Sequence, residues 1–300
     1  MDKYYRKVPQ DMLEQFMRFR REHPLKHCET NGLTWDYIIS GEPSGQPLLL
    51  MPGGLSTAES AWRMITLLEE QKYHLVCPSY PARIDTMEAL ADGIAGILAQ
   101  EGIQTTYVVG GAYGSMLAQV FIHHHPGLVT RLVLTHAYPP VPSRINSLGS
   151  TLRVLRLAPF FMVKNMLRTQ MTGKLPANPS PELLLIAAHI HETLDTRLTR
   201  QAALNIYLRM MDFDSQEFTF TDLEGWQGKT LIILAQDDPT TSEELRNTLL
   251  ALYPGATLHL LKGDSKATAL LESGEYIKVM QAFFEGTTKP TAQGVDNSEK

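Results

Sequence analysis

Apolar positions change texture along the chain, and each texture predicts a different element. Between 10 and 22 (QDMLEQFMRFRRE), Met12, Leu13, Phe16, Met17 and Phe19 recur at helical spacing, which predicts an amphipathic N-terminal helix. Next, LKHCET and LTWDYIIS flank Asn31-Gly32, two residues that tolerate positive φ, so an antiparallel hairpin is expected there. Beyond the Gly/Pro/Ser-rich loop at 41–46, short apolar runs at 47–51, 73–77, 106–110 and 131–136 alternate with helix-like stretches. One of these stretches opens on Asp85-Thr86-Met87-Glu88, read as a capping box with Asp85 as the acceptor, and its apolar run ends at Gly102. Short buried strands separated by helices predict a mainly parallel α/β sheet.

From about 139 to 213 the strand-like runs stop. Leu152, Leu155, Phe160, Phe161, Met162, Met166, Leu183–Ile190 and Ala202–Met211 read as helices, with Pro181 suited to a first turn. TLIILA (230–235) and TLHLL (257–261) then restore the strand pattern, and a last helix ends near Phe284 with Gly286 as its cap. The expected organisation is an α/β core split into 1–138 and 214–286, a helical cap over 139–213, and a polar tail over 287–300. That anatomy replaces the two separate domains that 300 residues would otherwise suggest.

Composition narrows the function classes without naming one. With 43% hydrophobic and 20% charged residues the chain is an ordinary globular one, not a disordered polymer. Its net charge is −5, and acidic and basic residues read as interspersed, so no basic field for nucleic acid is expected. Cys28 and Cys77 sit in predicted strands with neither zinc nor disulfide-framework spacing, pointing to a reduced, cytoplasmic compartment. No run approaches the roughly 18 apolar residues of a membrane span, and the N-terminus lacks the apolar core of a signal peptide.

Chemistry concentrates where the strand at 106–110 meets Gly110-Gly111-Ala112-Tyr113-Gly114-Ser115 and then a helix. This segment resembles the nucleophile elbow of the α/β-hydrolase superfamily, whose pattern is G-x-S-x-G on a sharp strand-to-helix turn. Gly110 and Gly114 match its glycines, and Ala112 stands at the nucleophile position. Pro52-Gly53-Gly54-Leu55 follows the third strand, where the family carries its oxyanion loop; the resemblance implies that Gly54 and Leu55 line the site and that a loop amide joins the amide of Tyr113. Asp238, before Pro239 and after the penultimate strand, matches the acid of the triad. Register from Gly263 after the final strand puts Lys266 at the position of the histidine base. The resemblance spans roughly 26–286 and extends to maspardin-like members, proteins of the same fold reported as atypical hydrolases. It implies about eight strands, mostly parallel, with an inserted helical cap.

The departures decide the chemistry. Alanine has no lone pair to attack an acyl carbon, and a lysine next to Asp238 would be held protonated instead of acting as a base, so an Asp238–Lys266 ion pair is expected. Tyr113 and Ser115 flank the elbow, and the resemblance implies that they point into the cap-side pocket or the helix packing; His136, at a strand end on the pocket side that the resemblance implies, reads as a hydrogen-bonded strand-end histidine or, alone among the histidines, as a candidate for a relocated base. His123-His124-His125 cannot converge on one metal, because consecutive helical side chains point about 100° apart; His189 and His191 diverge in the same way. Nothing asks for a cofactor. Three readings stay open: a catalytically impaired hydrolase that binds an apolar or acyl-type small molecule or a protein partner, a repurposed lyase or cyclase, and an esterase-type hydrolase whose nucleophile has been substituted.

Overall fold

The first helix, α1 (Gln10–Glu22), coincides with the predicted periodicity and buries Leu13, Phe16 and Phe19. The hairpin follows as β1 (Lys26–Thr30) and β2 (Leu33–Gly41), closed by Asn31 and Gly32 at φ 52° and 71°. This computed structural model describes residues 3–54, 56–173, 178–236, 242–261 and 273–287. The remaining strands are β3 (Pro47–Met51), β4 (His74–Pro78), β5 (Thr106–Gly111), β6 (Val129–Thr135), β7 (Lys229–Ala235) and β8 (Thr257–Leu261). They form one eight-stranded sheet in the order β1-β2-β4-β3-β5-β6-β7-β8. β1–β2 and β2–β4 pair antiparallel and every other pair is parallel, so the sheet is mostly parallel as expected.

Period-two alternation builds two cores from the same strands. Leu49, Val76, Val108, Leu132 and Ile232 face the first, with α3 (Met87–Gln100), α4 (Tyr113–His124) and α9 (Glu243–Leu252) packed over them. Leu48, Leu75, Val109, Val133 and Leu231 face the second, covered by α1, α2 (Trp62–Glu69) and the final helix, α10 (Ser273–Phe284). A strand buried on both faces has no polar side to show, which is why these segments read as continuous apolar runs.

Between β6 and β7 the chain inserts α5 (Ile145–Leu157), α6 (Phe160–Thr172), α7 (Pro181–Thr196) and α8 (Arg200–Asp214), which share a third apolar cluster around Leu152, Leu167, Leu194 and Tyr207. Buried polar groups fasten the insertion to the core. Arg209 donates to the Ile84 carbonyl at 2.8 Å and the Pro81 carbonyl at 2.6 Å, and Asn205 donates to those of Ala82 and Ile84.

The start of α3 differs from the expectation. Thr86, not Asp85, is the N-cap: its backbone is extended and its hydroxyl accepts from the Ala89 amide at 3.2 Å. The Met87 amide is taken by the carboxylate of Asp212, 125 residues away on α8, so a tertiary contact does part of what a local box was expected to do. No described helix is long and apolar enough to cross a membrane.

Candidate functional site

Close approach of backbones dictates the small residues around Ala112. A Cβ on Gly110 would stand 2.4 Å from the Gly114 carbonyl oxygen, and one on Gly114 would stand 2.2 Å from that of Met51. Glycine at both positions therefore lets α4 start directly against β5 and the end of β3. Between them Ala112 takes φ 49°, ψ −112°, the sharp turn in which an L-residue is strained, while its amide donates to the Thr135 carbonyl at 2.9 Å.

Three of the five described non-glycine residues with positive φ gather at these strand ends: Ser56 after β3, Ala112 after β5 and His136 after β6. The segment after β3 is braced by the buried Tyr80, whose hydroxyl donates to the Pro52 carbonyl at 2.9 Å. At the first turn of α4, the Tyr113 amide has no hydrogen-bond acceptor among the described residues. A Cβ at Gly54 would meet nothing within 4 Å, because that glycine faces open space. A backbone amide without an acceptor beside an open cavity is a donor of the kind that can meet a carbonyl oxygen.

Two lobes of cavity meet there, about 720 Å³ and about 440 Å³, and Gly54, Ala112, His136 and Met171 line both. The larger lobe runs under the insertion, past Leu148, Leu167, Thr193 and Tyr207. The smaller runs past Met64, Ile186 and Met280. A mostly apolar chamber with a few polar groups at one end matches the usual form of a small-molecule site.

Among the described residues, His136 brings an imidazole to that end. Its Nε2 lies 2.6 Å from the hydroxyl of Tyr276 on α10, and both residues line the smaller lobe. Tyr276 was not among the sequence candidates: it lies 140 residues from His136, and only the packing of α10 on the sheet brings the two together.

Neither flanking residue is a substitute nucleophile. The Ser115 hydroxyl is fully buried and donates to the Ala112 carbonyl at 2.6 Å. Burial lifts the Tyr113 phenol above its ordinary range, more than offsetting the nearby Arg209 charge, so it stays protonated at neutral pH.

Of the remaining candidates, Leu55, Asp238 and Lys266 lie outside the described residues, so the expected Asp238–Lys266 pair does too. The strands that lead to the last two run side by side to their ends, with Ala235 opposite Leu261 and the Gln236 amide donating to the Leu261 carbonyl at 2.9 Å. The three consecutive histidines take separate partners: His123 the Gln119 carbonyl, His124 the Glu88 carboxylate, and His125 that of Asp92.

No family model matches the chain. It is similar to maspardin from Danio rerio, 23% identical over 279 residues that cover 90% of this chain and 86% of the relative. Maspardin from Homo sapiens is also 23% identical, with 90% and 87% covered. Among solved structures, a carboxylesterase from Nitrososphaera gargenis superposes with a TM-score of 0.71 at 14% identity, covering 88% of this chain and 98% of its own.

Proposed function

We propose that this chain, a maspardin-like member of the α/β-hydrolase superfamily, binds an apolar small molecule bearing an ester or ketone carbonyl and does not cleave it through a covalent acyl-enzyme. The observation that carries this reading is Ala112, which holds the strained turn of an elbow beside the cavity yet offers no nucleophile. In this reading the carbonyl oxygen takes the Tyr113 amide and a second amide from the loop at Gly54. The apolar body lies under the insertion, which acts as a cap, and Lys266 with Asp238 replaces the histidine–acid pair.

The test is reaction of the purified protein with a fluorophosphonate probe, paired with calorimetric titration of medium-chain methyl ketones. No labelling together with saturable ketone binding is expected; labelling of the unmodified chain would overturn the reading. Ala112→Ser is expected to leave activated esters uncleaved, because no histidine base stands at position 266. Brisk turnover by that single variant would instead identify an esterase with a substituted nucleophile.

The bond between His136 and Tyr276 favours one second reading, a non-hydrolytic conversion in which the pair moves a proton at a carbonyl substrate held by the same amides. Metabolite profiling with Tyr276→Phe separates the two, since simple binding survives that change and proton transfer does not.

A further inference from the structure

Charge is not interspersed everywhere. From Gly102 to Pro181 the sequence holds seven Lys/Arg and no Asp or Glu, in a chain whose net charge is −5. The middle of that stretch is the corner between α5 and α6, where the largest departure from apolar burial also occurs. Leu157 is 89% exposed, Val154 and Phe161 are each 65% exposed, and Met162 is 52% exposed. Four large apolar side chains within nine residues of sequence form a patch, unlike the isolated exposed Phe220 elsewhere.

The corner is braced in this outward pose. Arg200 donates to the carbonyls of Leu155 and Ala158 at the end of α5 and lies over the Phe160 ring, while Leu155 and Val163 point into the insertion's own core. Arg153 and Arg156 are exposed beside Val154 and Leu157, and neither has an acidic partner among the described residues. Lys164 lies one turn further along α6, with its ammonium on the Asp195 carbonyl.

We propose that the α5–α6 corner docks the protein peripherally on an anionic lipid surface. Leu157, Phe161 and their apolar neighbours enter the headgroup boundary, and Arg153 and Arg156 meet the lipid phosphates and carboxylates. Charge complementarity selects this occupant: the apolar wedge is bordered by arginines without an acidic partner among the described residues, and Asp195, the carboxylate packed against α6, is already paired with Arg168, so the corner attracts a negative leaflet, with each basic residue near the surface adding about 1 kcal/mol of attraction, or roughly fivefold in binding. The inner faces of the same helices line the larger cavity lobe through Leu148, Leu167 and Met171, so a docked corner sets that chamber beside the membrane. The docking itself does not depend on what the cavity binds.

Co-sedimentation of the full chain with vesicles tests this, comparing pure phosphatidylcholine with a mixture containing roughly one-third phosphatidylserine. Binding to the anionic vesicles is expected to exceed binding to the neutral ones by about tenfold or more, and to weaken as salt rises from about 0.1 to about 0.5 M. The double variant Leu157→Asp/Phe161→Asp is expected to lose at least about tenfold in binding with its melting temperature unchanged, and Arg153→Glu/Arg156→Glu to lose the anionic preference. Absence of binding to anionic vesicles, or wild-type binding by both variants, would overturn the proposal. So would a concentration-dependent dimer that Leu157→Asp splits in the absence of vesicle binding, an outcome that assigns the patch to a second copy of the chain.

Discussion

The two ends of the helical insertion are built on opposite principles. Where α8 and the start of α5 meet the sheet domain, polar and charged side chains are buried and paired: Arg209 is 1% exposed, and Asn205 and Asp214 are fully buried. At the α5–α6 corner, apolar side chains are exposed and the arginines face solvent. Burying paired polar groups fixes a position at the cost of desolvation, while exposing apolar ones leaves a surface that still has something to gain from contact. The first end therefore reads as attachment and the second as an interface.

The largest effect is expected at the attachment. Arg144 donates to both carboxylate oxygens of Asp214 at 2.6 Å, and the Val141 amide adds a third bond at 3.1 Å. Arg144→Leu leaves that carboxylate buried with its counter-charge gone, which is expected to cost about 3–5 kcal/mol in urea denaturation. A loss below about 1 kcal/mol would mean that the insertion is held by its apolar packing alone.

A smaller, pH-dependent effect is expected where α7 meets the N-terminal segment. Glu192 accepts from Tyr5 at 2.6 Å and from Arg20 at 2.5 Å, with His189 beside it. Burial alone would raise its carboxyl, but hydrogen bonds from His189, Arg20 and Tyr5 outweigh burial and hold it well below the ordinary 4.5. The resulting stability is complete above pH 4.5 and is lost as pH falls from there toward the depressed folded value. After solvent screening it amounts to on the order of 1 kcal/mol. Glu192→Gln should flatten the acid limb of a stability-versus-pH curve; an unchanged limb would show that other carboxylates carry it.

What could be read from the sequence divides along the same physical line. The mostly parallel sheet was legible because strands buried on both faces must be apolar throughout, though not the order of its strands, and the elbow because two close backbone approaches leave only glycine at 110 and 114. Asn31-Gly32 was legible because a two-residue turn needs positive φ. Contacts joining distant segments left no local trace. Asp212 completing the start of α3, Tyr276 reaching His136, and Glu192 gathering Tyr5 and Arg20 all depend on how helices pack once formed. The acid-free stretch was visible in the sequence, but it acquires a meaning only when folding places the exposed apolar corner in its middle.

The smallest expected effect on stability is the sharpest test of the comparison. Leu155 and Leu157 lie two residues apart on α5, yet Leu155 is 2% exposed in the insertion's core while Leu157 is 89% exposed. Since Leu157 removes almost no surface from water, Leu157→Ser should change stability by less than about 0.5 kcal/mol, even though it deletes a large apolar side chain. If the corner is an interface, that silent variant should still lose affinity for anionic vesicles. A loss of about 2 kcal/mol or more in the isolated chain would show that Leu157 is covered in solution, by this chain or a second copy, and the contrast between the two ends of the insertion would fail.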